Sequence, residues 1–156
     1  MTAAQHYLSK EKFAELEAEF EHLKTTGREE IAAALEYAKS LGDLSENAEY
    51  HEARETQAKT EDRILTLERI LKDMVIVEDK KGGVTVALGS TILISKTGEK
   101  SPQRYHLVGS EEANIAEFKI SNESPLGRNL IGKKKGESVT IETPRGKTIY
   151  TINEIE

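Results

Sequence analysis

Apolar and small residues recur at helical spacing through the first half of the chain: Phe13, Leu16, Phe20, Leu23, Gly27, Ile31, Ala34, Ala38 and Leu41. The steps alternate between three and four, with one additional four near Gly27, so the seam is a heptad repeat carrying a stutter. Glycine costs roughly 1 kcal/mol relative to alanine inside a helix, and a local irregularity is expected at Gly27. A second, more regular seam follows: Tyr50, Ala53, Gln57, Thr60, Ile64, Leu67, Leu71 and Met74. The two seams predict two helices of about 31–33 residues, each ~45–50 Å long. Ser9 suits the N-cap of the first, with Leu8 and Phe13 placed for a hydrophobic staple. Between the helices lies Ser40-Leu41-Gly42-Asp43-Leu44-Ser45-Glu46-Asn47-Ala48-Glu49-Tyr50. Gly42 suits a helix C-terminus with positive φ, and Asp43 suits the N-cap of the next helix, with Glu46 three residues on. So short a connection forces antiparallel packing. Small residues replace Leu and Phe toward this tip, which keeps it slim.

From Val75 the pattern changes to short runs of strand character. Val75-Ile76-Val77 precedes a turn or linker, Glu78 to Gly83, and the domain boundary is placed near residue 78. Strand-like runs follow at 84–88, 90–95, 103–108, 116–121, 137–143 and 147–155, separated by Gly- and Pro-containing turns. The last two read as a hairpin across Thr143 to Lys147. Ser124-Pro125-Leu126-Gly127-Arg128-Asn129-Leu130-Ile131 fits a short helix, with Ser124 as N-cap and Pro125 at the first helical position. The fold class is therefore α+β: residues 1–78 an antiparallel coiled-coil hairpin with an acidic tip, and residues 79–156 a small antiparallel β domain with a short helix.

Composition narrows the chemistry. No Cys is present among the 156 residues, so thiolate metal sites, a cysteine nucleophile and a disulfide framework are excluded. No long apolar run exists, and Met1 to Lys10 lacks the apolar stretch of a leader peptide, so a cytoplasmic protein without a membrane partner is expected. Residues 1–78 hold 10 Lys/Arg against 18 Asp/Glu, and residues 79–156 hold 12 against 10. That acidic first half is unlike the basic face of a generic DNA-wrapping protein. The four histidines, at 6, 22, 51 and 106, show no metal-ligand clustering.

The tip acids have two compatible readings. Asp43 and Glu46 form a capping box, or they are ionised carboxylates carried on a thin rod into another molecule's active site. A helix N-terminus favours the charged form, which is the form that binds Mg²⁺. Two carboxylates alone make a poor Mg²⁺ site, so a strong one needs further ligands from a partner. Gly127 to Lys134 nearly matches a phosphate-binding loop, but it lacks the closing Ser/Thr and a surrounding βαβ unit. It reads as a surface loop.

Gly42-Asp43-Leu44-Ser45-Glu46-Asn47-Ala48-Glu49-Tyr50-His51, followed by Ala53-Arg54-Glu55, resembles the tip motif of the bacterial GreA-type transcript cleavage factors. Ser124 to Lys133 resembles the C-terminal signature of the same family, and the two blocks lie in the family's order. The resemblance implies a C-terminal domain of FK506-binding-protein-like fold that docks on bacterial RNA polymerase through Ser124, Pro125, Leu126, Arg128, Ile131, Gly132 and Lys133. It implies that the hairpin enters the secondary channel and that the polymerase, not the factor, cleaves the 3′ end of backtracked nascent RNA. Asp43 would be the metal-ligand residue, sharing a Mg²⁺ that the polymerase supplies and mainly holds. Glu46 would orient the attacking water. The free factor would bind no cofactor, act as a monomer and be no enzyme itself. Lys39 and Arg54 fall at the family's RNA-contacting positions, although without the family they are only exposed helix charges. Ser45 stands where some members carry a basic residue beside the glutamate.

Three other functions compete. A paralogue of the same fold would occupy the channel and inhibit the polymerase, but the intact Asp43-Leu44-Ser45-Glu46 tip argues against it. A prolyl isomerase or peptide chaperone needs an aromatic-lined pocket, and the second half offers only Tyr105, Phe118 and Tyr150. A plain coiled-coil dimeriser has no need of acids at a tip.

Overall fold

The computed structural model describes residues 5–156. Residues 1–4, part of the Met1 to Lys10 stretch read for a leader, lie outside the described residues. The described chain forms two compact units, one spanning Phe13–Asp73 and one joining the N-terminal residues up to Lys12 with Met74–Glu156.

The first unit is the helical hairpin. Its leading arm comprises α1 (Lys10–His22), a π-helical turn (Leu23–Gly27) and α2 (Arg28–Ser40). The π turn falls on the stutter: one wide turn absorbs the residue by which the seam departs from its heptad. Ser9 caps the arm, its Oγ accepting from the Lys12 N–H at 3.1 Å. The returning arm is α3 (Ala48–Lys72), 25 residues long and shorter than the seam predicts. The chain before Ala48 forms a 3₁₀ turn, and Met74 already belongs to a strand. Leu16, Ile31, Ala38, Ala53, Ile64, Leu67 and Ile70 are the buried apolar residues of the hairpin. Arg28 and Glu61, and Arg63 and Glu19, bridge the arms as paired guanidinium–carboxylate contacts of 2.6 to 3.0 Å. All four side chains are substantially exposed, so apolar packing carries the pairing and the ion pairs add little.

The second unit contains two sheets. β1 (His6–Leu8) pairs in parallel with β2 (Met74–Ile76). This pairing draws the N-terminal residues into the β unit and sets the division at Asp73 and Met74, a few residues before the linker. The main sheet has the order β5 (Lys119–Ser121), β4 (Gln103–Val108), β3 (Thr91–Lys96), β7 (Gly146–Ile155), β6 (Ser138–Thr143). Its neighbours run antiparallel except β4 and β5, which run parallel. Alternate residues of β3 point inward, so Ile92 and Ile94 join Val86, Leu107, Ile120, Leu130, Val139, Ile141 and Ile152 in one core. Burying an aliphatic side chain of this size contributes about 1.5–3 kcal/mol. β6 and β7 form the expected hairpin, with Thr143 opposite Gly146.

The run at 84–88 is not a strand. Only Thr85 makes an isolated bridge, to Lys134, and Val84 is exposed while Val86 is buried. Val86 bonds to the loop after the short helix α4 (Pro125–Leu130), its N–H donating to the Lys133 carbonyl and its carbonyl accepting from the Gly132 N–H, both at 2.8 Å, while Ala87 bonds to Ser90. The run at 116–121 also shortens, to a 3₁₀ turn (Ile115–Glu117) before β5.

Candidate functional site at the hairpin tip

α2 ends when the Leu41 N–H closes on the Ala38 carbonyl at 3.1 Å. Gly42 follows at φ +121°, a conformation a side chain would strain, and turns the chain toward the second arm. Asp43 then caps a 3₁₀ turn, Leu44–Glu46, not the long helix itself. Its Oδ1 accepts from both the Ser45 N–H and the Ser45 hydroxyl, each at 2.9 Å. Oδ2 has no hydrogen-bond partner among the described residues, and the side chain is exposed. The Ser45 N–H first, and its hydroxyl second, hold the Asp43 carboxyl below its ordinary value, because both donors favour the ionised form.

Glu46 is exposed and does not reach back to complete a capping box; no hydrogen bond or ion pair to it occurs among the described residues. The helix is instead capped by Asn47, whose Oδ1 accepts from the Tyr50 N–H at 3.0 Å. Its Nδ2 donates to the Ala38 carbonyl at 2.6 Å. One side chain thus starts α3 and satisfies a terminal carbonyl of α2. Here the sequence reading is corrected: two cap signals sit four residues apart, and the later one starts the helix. His51 Nε2 lies 3.3 Å from the Ser45 carbonyl, and the His51 ring packs edge-on to Tyr50 with centroids 5.9 Å apart.

The tip is therefore a small braced loop that leaves one oxygen of Asp43 and the whole carboxylate of Glu46 without a partner among the described residues. That donor set suits a Mg²⁺ ion only as a minority contribution: hard oxygen ligands, ionised, but too few to hold it. Lys39 is exposed in the last turn of α2, where a cation complements the helix dipole. Arg54 is exposed on α3, its Nη1 donating to Gln57 Oε1 at 3.0 Å.

The second sequence block is built around α4. Ser124 caps it, its Oγ accepting from the Gly127 N–H at 3.1 Å and donating to the Ser121 carbonyl at 2.7 Å, and Pro125 opens the helix. Gly127 is fixed by space: a Cβ there would lie 1.9 Å from the Ser121 carbonyl oxygen. Leu126 packs against the core and Leu130 is fully buried within it. Arg128, Ile131 and Gly132 are exposed and Lys133 is half-buried, so these face outward. The block thus divides into residues that seat the helix and residues available to a partner. A cleft between Tyr105 and Tyr150 measures only about 110 Å³, well under the few hundred Å³ typical of a ligand pocket. Among the described residues, no helix is long and apolar enough to cross a membrane.

The structure is an acid-tipped helical hairpin with a separate small β unit. The family models agree: residues 6–76 match "Transcription elongation factor, N-terminal", and residues 81–156 match "Transcription elongation factor, GreA/GreB, C-term". The chain belongs to the GreA/GreB transcription elongation factor family. It is 44% identical over 140 residues to the transcription elongation factor GreA of Bacillus subtilis (strain 168), covering 90% of this chain and 89% of that one. The GreA of Roseiflexus sp. (strain RS-1) is 43% identical over 151 residues, 96% of each chain. A solved structure, "Crystal structure of Thermus aquaticus Gfh1", is 28% identical over 99% of each chain, with a TM-score of 0.44.

Proposed function

We propose that this chain is an elongation factor that binds bacterial RNA polymerase, passes its hairpin through the secondary channel and stimulates the polymerase's own cleavage of backtracked nascent RNA. The observation that carries the reading is the unengaged, ionised Asp43 oxygen on an exposed, braced tip. Mg²⁺ held mainly by the polymerase would supply the charge that activates water and stabilises the leaving oxygen in a two-metal displacement. Asp43 would offer it one carboxylate oxygen, with Ser45 keeping that group charged and oriented. Glu46, whose side chain is unpaired among the described residues, would accept a hydrogen bond from the attacking water and so aim it. Lys39 and Arg54 contact the extruded RNA, and the outward residues of the Ser124–Lys133 block, with Arg128 and Ile131 foremost, dock on the polymerase. The factor acts in the cytoplasm as a monomer, binds no cofactor alone and turns nothing over by itself.

The test is RNA cleavage in a stalled, backtracked bacterial elongation complex with Mg²⁺, with polymerase binding measured in parallel. Asp43→Ala should bind as the unaltered chain does and lose roughly 10²-fold or more in cleavage rate, the scale of removing one positioned electrostatic group. Glu46→Ala should lose less. Binding of the unaltered chain without any stimulation would make it a channel-occupying inhibitor, with Asp43 reduced to a structural cap.

A further inference from the structure

A groove of about 420 Å³ opens between α2 and α3, within about three helical turns of the tip. Its floor includes Ile31 and Ala53, which are buried, and Tyr37 stands in its wall with 60% of its surface exposed. Glu30, Glu49 and Glu52 line it, and none of the three has an ion pair or hydrogen bond among the described residues. The segment 29–56 carries eight acidic residues and two basic ones, Lys39 and Arg54. Lys39 stands two residues beyond Tyr37, and Arg54 two beyond Glu52. At ~100° per residue, Lys39 lies about 160° round its helix from Tyr37, and Arg54 about 160° round its own from Glu52. The rod is thus two-sided near its end, with its cations off the groove and its unpaired anions around it.

Resting on the proposed partnership with RNA polymerase, we infer that this groove seats an arginine-bearing basic segment of the polymerase, while RNA lies on the other side of the rod. An arginine matches each part of the groove. Its aliphatic stem lies on the Ile31 and Ala53 floor, its guanidinium stacks on the Tyr37 ring, and its charge meets three carboxylates with no competing partner. RNA is excluded by the same charges, since phosphates gain nothing from an anionic wall. The groove therefore fixes the rotation of the hairpin about its own axis, which decides where Asp43 points.

Two full-length variants and one probe test this. Glu30→Gln/Glu49→Gln/Glu52→Gln removes the groove charges; Glu29→Gln/Glu36→Gln/Glu55→Gln removes the same net charge off the groove. Binding to a backtracked polymerase complex should weaken about tenfold for the first and less than about twofold for the second. Equal weakening of both, or of neither, overturns the inference. A photo-crosslinking amino acid at Tyr37, with every acid intact, should capture a basic polymerase peptide whatever the variants' stability; capture of RNA there also overturns it. Failure of the unaltered chain to bind polymerase would instead defeat the partnership itself.

Discussion

The hairpin and the β unit solve opposite problems. The β unit gathers nine buried aliphatic residues into one core, including Ile92, Leu107 and Leu130 with no exposed surface. The hairpin's tip half buries Ile31, Ala38 and Ala53, two of them alanines, and its outer surface is mostly charge. A thick core would stiffen the tip but widen it. The tip instead closes with hydrogen bonds from Asp43, Ser45 and Asn47. Stability in this protein thus sits away from the candidate chemistry, and the tip is held by local polar geometry.

The sharpest way to break that contrast is to remove volume from the dense core. Leu130→Ala deletes a side chain with no exposed surface and should destabilise the β unit by about 2–5 kcal/mol. Hydrogen exchange on the full chain reads it: amides of β3, β4 and β7 should lose protection, while those in the middle of α3 hold theirs. A uniform loss along both units would mean that they unfold as one, and the contrast would fail.

A smaller effect is expected at the tip. Asn47→Ala removes the cap of α3 and the bond to the Ala38 carbonyl together, costing about 1–2 kcal/mol. Asn47→Asp keeps the acceptor for the Tyr50 N–H but has no amide to donate to Ala38, so it should fall between the two in tip-amide protection. If Asp matched Asn, the cap alone would matter and the bridge between the arms would be idle. Either variant should reduce cleavage more than it reduces polymerase binding, since it loosens the loop that carries Asp43.

Much of this was legible before the structure, for a physical reason. Helical seams and their stutter are local periodicities, and the π turn at Leu23–Gly27 falls where the repeat gained its additional step. The acids Asp43 and Glu46 were legible as tip residues because Gly42 marked the end of a helix. Asn47 was hidden behind Asp43, an equally good cap placed earlier; the residue preference is the same for both, and the 3₁₀ turn between them decides. β1 could not be read, because three residues show no alternation and become a strand only by pairing with β2, 68 positions later at His6 and Met74. Residues 84–88 failed in the opposite way. Their β-branched content signals a strand, but the backbone bonds of Val86 are taken by the loop at Gly132 and Lys133 and those of Ala87 by Ser90. Arg128 and Ile131 were named together with Leu126, and only the fold separates them from Leu126, which packs against the core.

The smallest expected effect lies at Ser45, and it separates charge from geometry at the tip. The Asp43 carboxyl titrates below its ordinary value mainly because of the Ser45 N–H, with the hydroxyl second. A depressed carboxyl stabilises the folded loop fully above the ordinary carboxylate range and loses that contribution as pH falls through its lowered value. Ser45→Ala removes only the lesser donor. The Asp43 midpoint, followed by NMR titration, should therefore move upward but stay below the ordinary value, since the N–H donor remains. At neutral pH the carboxylate is ionised either way, so any loss of cleavage in Ser45→Ala must come from the freed rotation of Asp43 and not from its charge. Cleavage at neutral pH indistinguishable from the unaltered chain would show that the backbone N–H alone orients the carboxylate. An Asp43 midpoint that did not move would show that the hydroxyl does not bond to it in solution.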